Sequence, residues 1–228
     1  MGVIYRLILM FCLIGCASNY SCSSEHDGKI GAHQRVSFFA SDSKAKSRNA
    51  AVEITSVDSE GSQIKGSGAY IKYKGSHYIL TAAHVVSSAP VAMIENNGET
   101  IIGDVVFVDE LNDVALVSIK GMVTRTPIMW SVEKDNKIGE QIIYSGYPNA
   151  YKLLTIEGKV AGYDGEKTII HSYVWKGASG SVVLSKRGKI VGVVSAVDVG
   201  ADVLGYPTII EDVGLVVPVD TIEEFLQR

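Results

Sequence analysis

The chain has 228 residues, 46% of them hydrophobic and 20% charged, which suits one large domain or two small ones with a real core and excludes a disordered chain. A formal net charge of −4 removes the electrostatic motive for nucleic-acid binding. Three cysteines are too few for a disulfide scaffold, while 23 glycines against 5 prolines point to many tight turns.

Arg6 is the only Lys, Arg, Asp or Glu among the first fifteen residues, and residues 7–14 form an apolar run ahead of Gly15 and Cys16. As a helix, eight residues rise about 12 Å, far short of the roughly 30 Å of a bilayer core, so the run reads as a secretory signal and not a membrane span. Leu13-Ile14-Gly15-Cys16 resembles the lipobox of bacterial lipoproteins. That resemblance implies cleavage before Cys16, lipidation of its thiol and a membrane anchor in the cell envelope. With Ala17 next to the cysteine, it also implies the outer membrane in a Gram-negative host. Cys12 then leaves with the signal and only Cys22 stays free.

From residue 16 to 48 the composition turns to Ser, Lys, Asp, Asn and Gly, the signature of a flexible tether; Phe38 and Phe39 are candidates to dock on the domain beyond it. The domain proper is expected at 49–228. There, short β runs begin with 51–57, which alternates with period two, and continue at 68–73, 77–80, 91–94, 100–108 and 114–119. A second set occupies 141–145, 153–156, 159–163, 168–172, 181–184, 190–196 and 215–217. Two groups of about six strands, divided near 121–137, predict an all-β fold of two barrels. At the end, Asp220 and Glu223 suggest a capping box opening a short helix with Ile222, Phe225 and Leu226 on one face.

Three stretches carry chemistry: Thr81-Ala-Ala-His84, Asn112-Asp113-Val-Ala-Leu116 and Gly177-Ala-Ser179-Gly-Ser181. A serine hydroxyl needs an adjacent base to become a nucleophile, imidazole serves as that base, and a carboxylate fixes its tautomer. Small residues around Ser179 let backbone N–H groups converge on an oxyanion. Taken singly, each stretch has an ordinary structural explanation: a core histidine, an Asx turn, a glycine loop. The order His, Asp, Ser, each beside a strand, is what points to catalysis. His77 and His84 as metal ligands are rejected, since no Cys or Glu set accompanies them, and neither metal nor cofactor is expected.

In this order the stretches resemble the trypsin-like, chymotrypsin-fold serine proteases, and especially the HtrA/Deg branch. Gly66-Ser-Gly-Ala-Tyr-Ile71, Ile190-Val-Gly-Val-Val-Ser-Ala-Val197 and Gly214-Leu-Val-Val-Pro-Val-Asp220 extend the likeness over about residues 50–228. The resemblance implies two six-stranded antiparallel barrels, with His84 as general base, Asp113 as its orienter and Ser179 as nucleophile. It implies an oxyanion hole from the N–H groups of Gly177 and Ser179, and a hydrogen bond from Ser195 to the aspartate. The primary substrate pocket would be walled by Ser195, Ala196 and Val197 with Tyr173 near its floor, and polypeptides are the implied substrates. Only ten residues come after Pro218, so no PDZ domain is expected.

The chain also departs from the family's usual Gly-Asn/Asp-Ser-Gly-Gly-Pro at Ala178, Ser181 and Val182. Ala178 removes the aspartate that a new N-terminus pairs with in trypsin, so activation by cleavage is not expected, and removal of 16–48 is expected to leave activity. Ser181 in place of glycine is expected to strain the turn. The alternative function is a protease-like fold without catalysis, serving as a binding module on the anchored lipoprotein.

Overall fold

A computed structural model describes residues 42–228 apart from 97, 123, 150 and 202–206; the side chains at 96, 99, 196–201 and 207–211 also lie outside the description. The expected signal segment, Cys16, Cys22 and the Phe38-Phe39 pair fall outside it.

The first barrel is built from β1 (Ala51–Val57), β2 (Gln63–Tyr73), β3 (Ser76–Thr81), β4 (Val91–Asn96), β5 (Glu99–Asp109) and β6 (Val114–Ile119). Their order is β1-β4-β5-β6-β3-β2, and pairing of β2 with β1 from Ala51↔Ala69 to Val57↔Gln63 closes the ring. A two-residue strand, β7 (Ile128–Met129), adds in parallel to β2 in the stretch where the sequence shows only a divide. The second barrel comprises β8 (Gln141–Gly146), β9 (Leu154–Asp164), β10 (Lys167–His171), β11 (Val182–Ser185), β12 (Ile190–Ala201) and β13 (Pro207–Val217). It closes in the order β10-β13-β12-β11-β8-β9. The all-β, two-barrel expectation holds, with runs 153–156 and 159–163 joined through Gly158 into the single strand β9. Gly158 is tolerated there because a Cβ would lie 2.5 Å from that of Ser172.

The β11 run Val182-Val183-Leu184 is apolar without alternation because both faces are buried. Val182 and Leu184 pack with the first barrel's core, alongside Ile190, Val193 and Val217, whereas Val183 points into the second barrel with Ile142, Tyr144 and Val194. Burial of each such side chain stabilises by about 1.5–3 kcal/mol, so this strand welds the barrels together. The linker adds to the weld: Glu133 N donates to Ile190 O and Ile190 N to Ser131 O, both at 2.7 Å.

Two expectations need correction. The last part of the supposed tether is helix α1 (Asp42–Ala50), docked on the second barrel. Ser43 Oγ donates to Lys186 O at 2.8 Å, Lys46 Nζ to Gly188 O at 2.6 Å, and Ser47 Oγ to Ser145 Oγ at 2.9 Å. Polar side chains that suggest a solvated linker are here hydrogen-bonding a neighbouring hairpin. The C-terminal helix, α3 (Asp220–Gln227), forms with Ile222 buried, but no capping box opens it. Its N-cap is Val219, which places Asp220 one residue inside, and both acids instead face Lys134 Nζ, Glu223 at 2.6 Å and Asp220 at 3.9 Å.

Candidate active site

His84 sits on α2 (Ala83–Val86), the single helical turn just after β3. Asp113 ends the turn between β5 and β6. Asp109 organises that turn, its carboxylate accepting from Asn112 N at 3.0 Å and Asn112 Nδ2 at 2.7 Å. Asp113 itself takes φ +52°, a left-handed conformation rare for a non-glycine residue and typical of functional sites. The result is a carboxylate that accepts from His84 Nδ1 (2.9 Å to Oδ2, 3.0 Å to Oδ1) and from His84 N at 3.0 Å. Ser195 Oγ donates to Oδ2 as well. Burial works to raise the Asp113 pKa, but these hydrogen bonds outweigh it and hold the carboxyl below its usual value.

Ser179 comes from the second barrel, in the turn before β11, and its hydroxyl donates to the backbone carbonyl of Ser195 at 3.3 Å. Ser195 on β12 therefore touches Asp113 with its hydroxyl and Ser179 with its carbonyl. The first barrel holds the turn in return, since Ser67 N donates to Ser179 O at 2.8 Å. His84, Asp113, Ser195 and Ser179 are thus linked in series by hydrogen bonds that cross from the first barrel to the second.

The backbone around Ser179 has a definite polarity. Lys176 O accepts from Asn149 N at 2.5 Å, and Ala178 O accepts from Ser181 N at 2.9 Å. In a trans peptide the N–H points opposite to the C=O, so the N–H groups of Gly177 and Ser179 are turned away from these bonds. Neither N–H has a hydrogen-bond partner among the described residues. Gly177 has φ +91°, and a Cβ on it would lie 2.5 Å from Tyr147 O, so only glycine fits.

The expected strain at Ser181 is not found. Gly180, at φ +89°, carries the left-handed conformation, and Ser181 does not have positive φ. Space for its side chain comes from Gly146, where a Cβ would fall 2.1 Å from Ser181 Oγ. Ala178 is fully buried among apolar side chains of the second barrel.

Tyr173 is 41% exposed, its ring stacked on Trp175 with centroids 6.4 Å apart. It lines an open hollow with Glu157, Lys159, His171 and Asp212, one to which neither Ser179 nor Ser195 contributes. Ala196 and Val197 lie on β12, with side chains outside the description. Sequence reasoning missed Ser67, Tyr147 and the Asp109–Asn112 turn; only the last left a signal, an Asx residue three before Asn112.

The profile of the trypsin-like peptidase domain matches residues 66–193, more than half of the chain. The chain belongs to the trypsin-like peptidase family. This trypsin-like domain is similar to the serine protease Do-like HtrA of Lactobacillus helveticus, 27% identical over 171 residues, covering 69% of this chain and 40% of that protein. It is also similar to a serine protease HtrA-like protein of Staphylococcus aureus (strain MRSA252), 26% identical over 184 residues, covering 72% of this chain and 23% of that one. The chain thus spans less than half the length of these relatives. Among solved structures, the active form of the Rv3671c protease from M. tuberculosis superposes with TM-score 0.64 at 20% identity, covering 82% and 83% of the two chains. A serine endoprotease from Yersinia pestis gives 0.64 at 18%, covering 81% and 64%. These two likenesses concern the fold.

Proposed function

We propose that the protein is a serine endopeptidase acting on polypeptides through His84, Asp113 and Ser179. The observation that carries this reading is Ser195, which bridges the Asp113 carboxylate and the Ser179 hydroxyl from a single strand. Ser179 Oγ leaves the Ser195 carbonyl, gives its proton to the free ring nitrogen of His84 and bonds to the scissile carbonyl carbon. The N–H groups of Gly177 and Ser179 receive the oxyanion. The imidazolium returns the proton to the leaving amine as the C–N bond breaks, and water releases the acyl group by the same route. Asp113 stays ionised throughout, stabilising the imidazolium. A fluorophosphonate probe should label Ser179, with the adduct located by peptide mass mapping. An inert wild-type chain overturns the assignment.

We further propose a primary pocket walled by residues 195–197 that takes small or medium aliphatic side chains. Six residues before Ser179, where the sequence likeness would put a trypsin's carboxylate, the chain has Tyr173, whose ring lines a separate hollow; without a carboxylate there, a buried substrate Lys or Arg costs several kcal/mol. Cleavage-site profiling on an unfolded protein tests this; cuts mainly after Lys or Arg count against it.

Anchoring is part of the same proposal. The chain is read as a lipoprotein of the bacterial cell envelope, processed before Cys16 and held at the outer membrane by lipid. Palmitate labelling that disappears in Cys16→Ser supports the anchor, and labelling that persists removes it.

A further inference from the structure

Ser67 lies fully buried on β2, between two glycines, in the first barrel. Its side chain reaches across to the second. Ser67 Oγ donates to Gly177 O at 2.6 Å and accepts from Tyr147 N at 2.9 Å, just beyond the end of β8. A hydroxyl has one proton. The Tyr147 N–H can only donate and the Gly177 carbonyl can only accept, so that proton is committed to Gly177 O. The residue's backbone is engaged as well: its N–H bonds Ser179 O at 2.8 Å, and its carbonyl accepts from Thr81 Oγ1 at 2.7 Å.

The peptide that Ser67 grips, between Gly177 and Ala178, lies between the two N–H groups assigned to the oxyanion. Its other end is fixed by Ala178 N donating to Trp175 O at 2.9 Å. Glycine at 177 is otherwise free to rotate, and rotation there would swing one of the two N–H groups out of line. We propose that Ser67 is a positioning residue for catalysis, its hydroxyl locking the Gly177–Ala178 peptide so that the N–H groups of Gly177 and Ser179 stay convergent. This rests on the serine endopeptidase reading. The space around the hydroxyl is closed, since a Cβ on Gly146 would stand 2.8 Å from Ser67 Oγ. A gap of hydroxyl size cannot hold a water, whose share of the liquid is about 30 Å³, so nothing replaces the lost donor.

The test is kinetic, on the full chain, with Ser67→Ala and Ser67→Cys. The thiol is of similar shape but a weak donor. Competent sites are counted with a fluorophosphonate, and kcat and KM are measured per titrated site. Direct removal of an oxyanion donor costs about 10²–10³ in kcat; loosening one should cost about 10–100-fold, with KM changed by less than about threefold. A role confined to stability would lower the number of competent sites and the melting temperature while leaving kcat per site intact. Should Ser67→Ala not fold, the cysteine variant carries the test alone. Wild-type kcat per site in any folded variant overturns the role of Ser67 and leaves the endopeptidase reading standing. Wild-type protein that neither labels nor hydrolyses overturns both.

Discussion

The imidazole Nδ1 and the backbone N–H of His84 both bond the Asp113 carboxylate, at 2.9 and 3.0 Å. One bond fixes the ring and the other fixes the helical turn that carries it. The aspartate is therefore more than a partner for the imidazole, because it anchors the base's main chain as well. Replacement of Asp113 by asparagine keeps the shape but puts an amide where the carboxylate must accept from both. Hydrolysis should fall by about 10⁴, and by several powers of ten in Ser179→Ala or His84→Ala. Steady-state assays with purified variants check this, and Ser179→Ala that still hydrolyses at the wild-type rate sinks the mechanism.

The same carboxylate makes stability depend on acid. Its pKa in the fold lies below the ordinary value of about 3.9, so folding favours the ionised form. The contribution is fully present above the unfolded pKa and is lost as pH falls through the folded one. Denaturant midpoints measured from pH 6 downwards should drop in wild type below about pH 4. Asp113→Asn should be less stable at pH 6 and show a smaller drop; equal slopes would mean that Asp113 is not linked to folding.

Helix α1 yields a prediction about truncation. A chain starting at Asp42 keeps the hydrogen bonds of Ser43, Lys46 and Ser47 and should match the longer protein in stability and turnover. A chain starting at Asn49 loses them, at about 1 kcal/mol each net of what water restores. Thermal melts of the two truncations should differ by several degrees. Neither should need a newly cut terminus for activity, because the position before Ser179 is the buried Ala178 and offers no carboxylate to pair with one.

Much of the fold was legible because strands announce themselves by period. Residues 51–57 alternate, and even the non-alternating Val182-Val183-Leu184 could be placed as a strand between glycine-rich turns. Helix α1 was hidden for the opposite reason. Ser43, Lys46 and Ser47 make no apolar stripe, and the helix is held by hydrogen bonds to residues 98 to 143 positions away. His84, Asp113 and Ser179 stand out in the sequence as candidates because chemistry restricts the residue types at each place. Ser67 could not, since its meaning lies in partners 110 and 80 residues distant that only the closed barrels bring near. Strain at Ser181 was wrongly expected because the sequence shows the added side chain but not the glycine opposite that makes room for it.

That pair supplies the last prediction. Ser181 is fully buried, and its hydroxyl has no hydrogen-bond partner among the described residues. An unpaired buried hydroxyl costs about 1–3 kcal/mol, so Ser181→Ala should keep the fold and leave it as stable as wild type or more so. Gly146→Ala is the reverse case. Its new Cβ would lie 2.1 Å from Ser181 Oγ and 2.8 Å from Ser67 Oγ, a collision on two sides that the closed barrel cannot absorb. Overpacking of this kind costs about 1–3 kcal/mol or more. The nearer collision is with the Ser181 hydroxyl, so the double variant Gly146→Ala, Ser181→Ala should recover part of the loss. Urea midpoints of the two singles and the double form a thermodynamic cycle. A coupling energy near zero would show that Ser181 does not owe its place to Gly146.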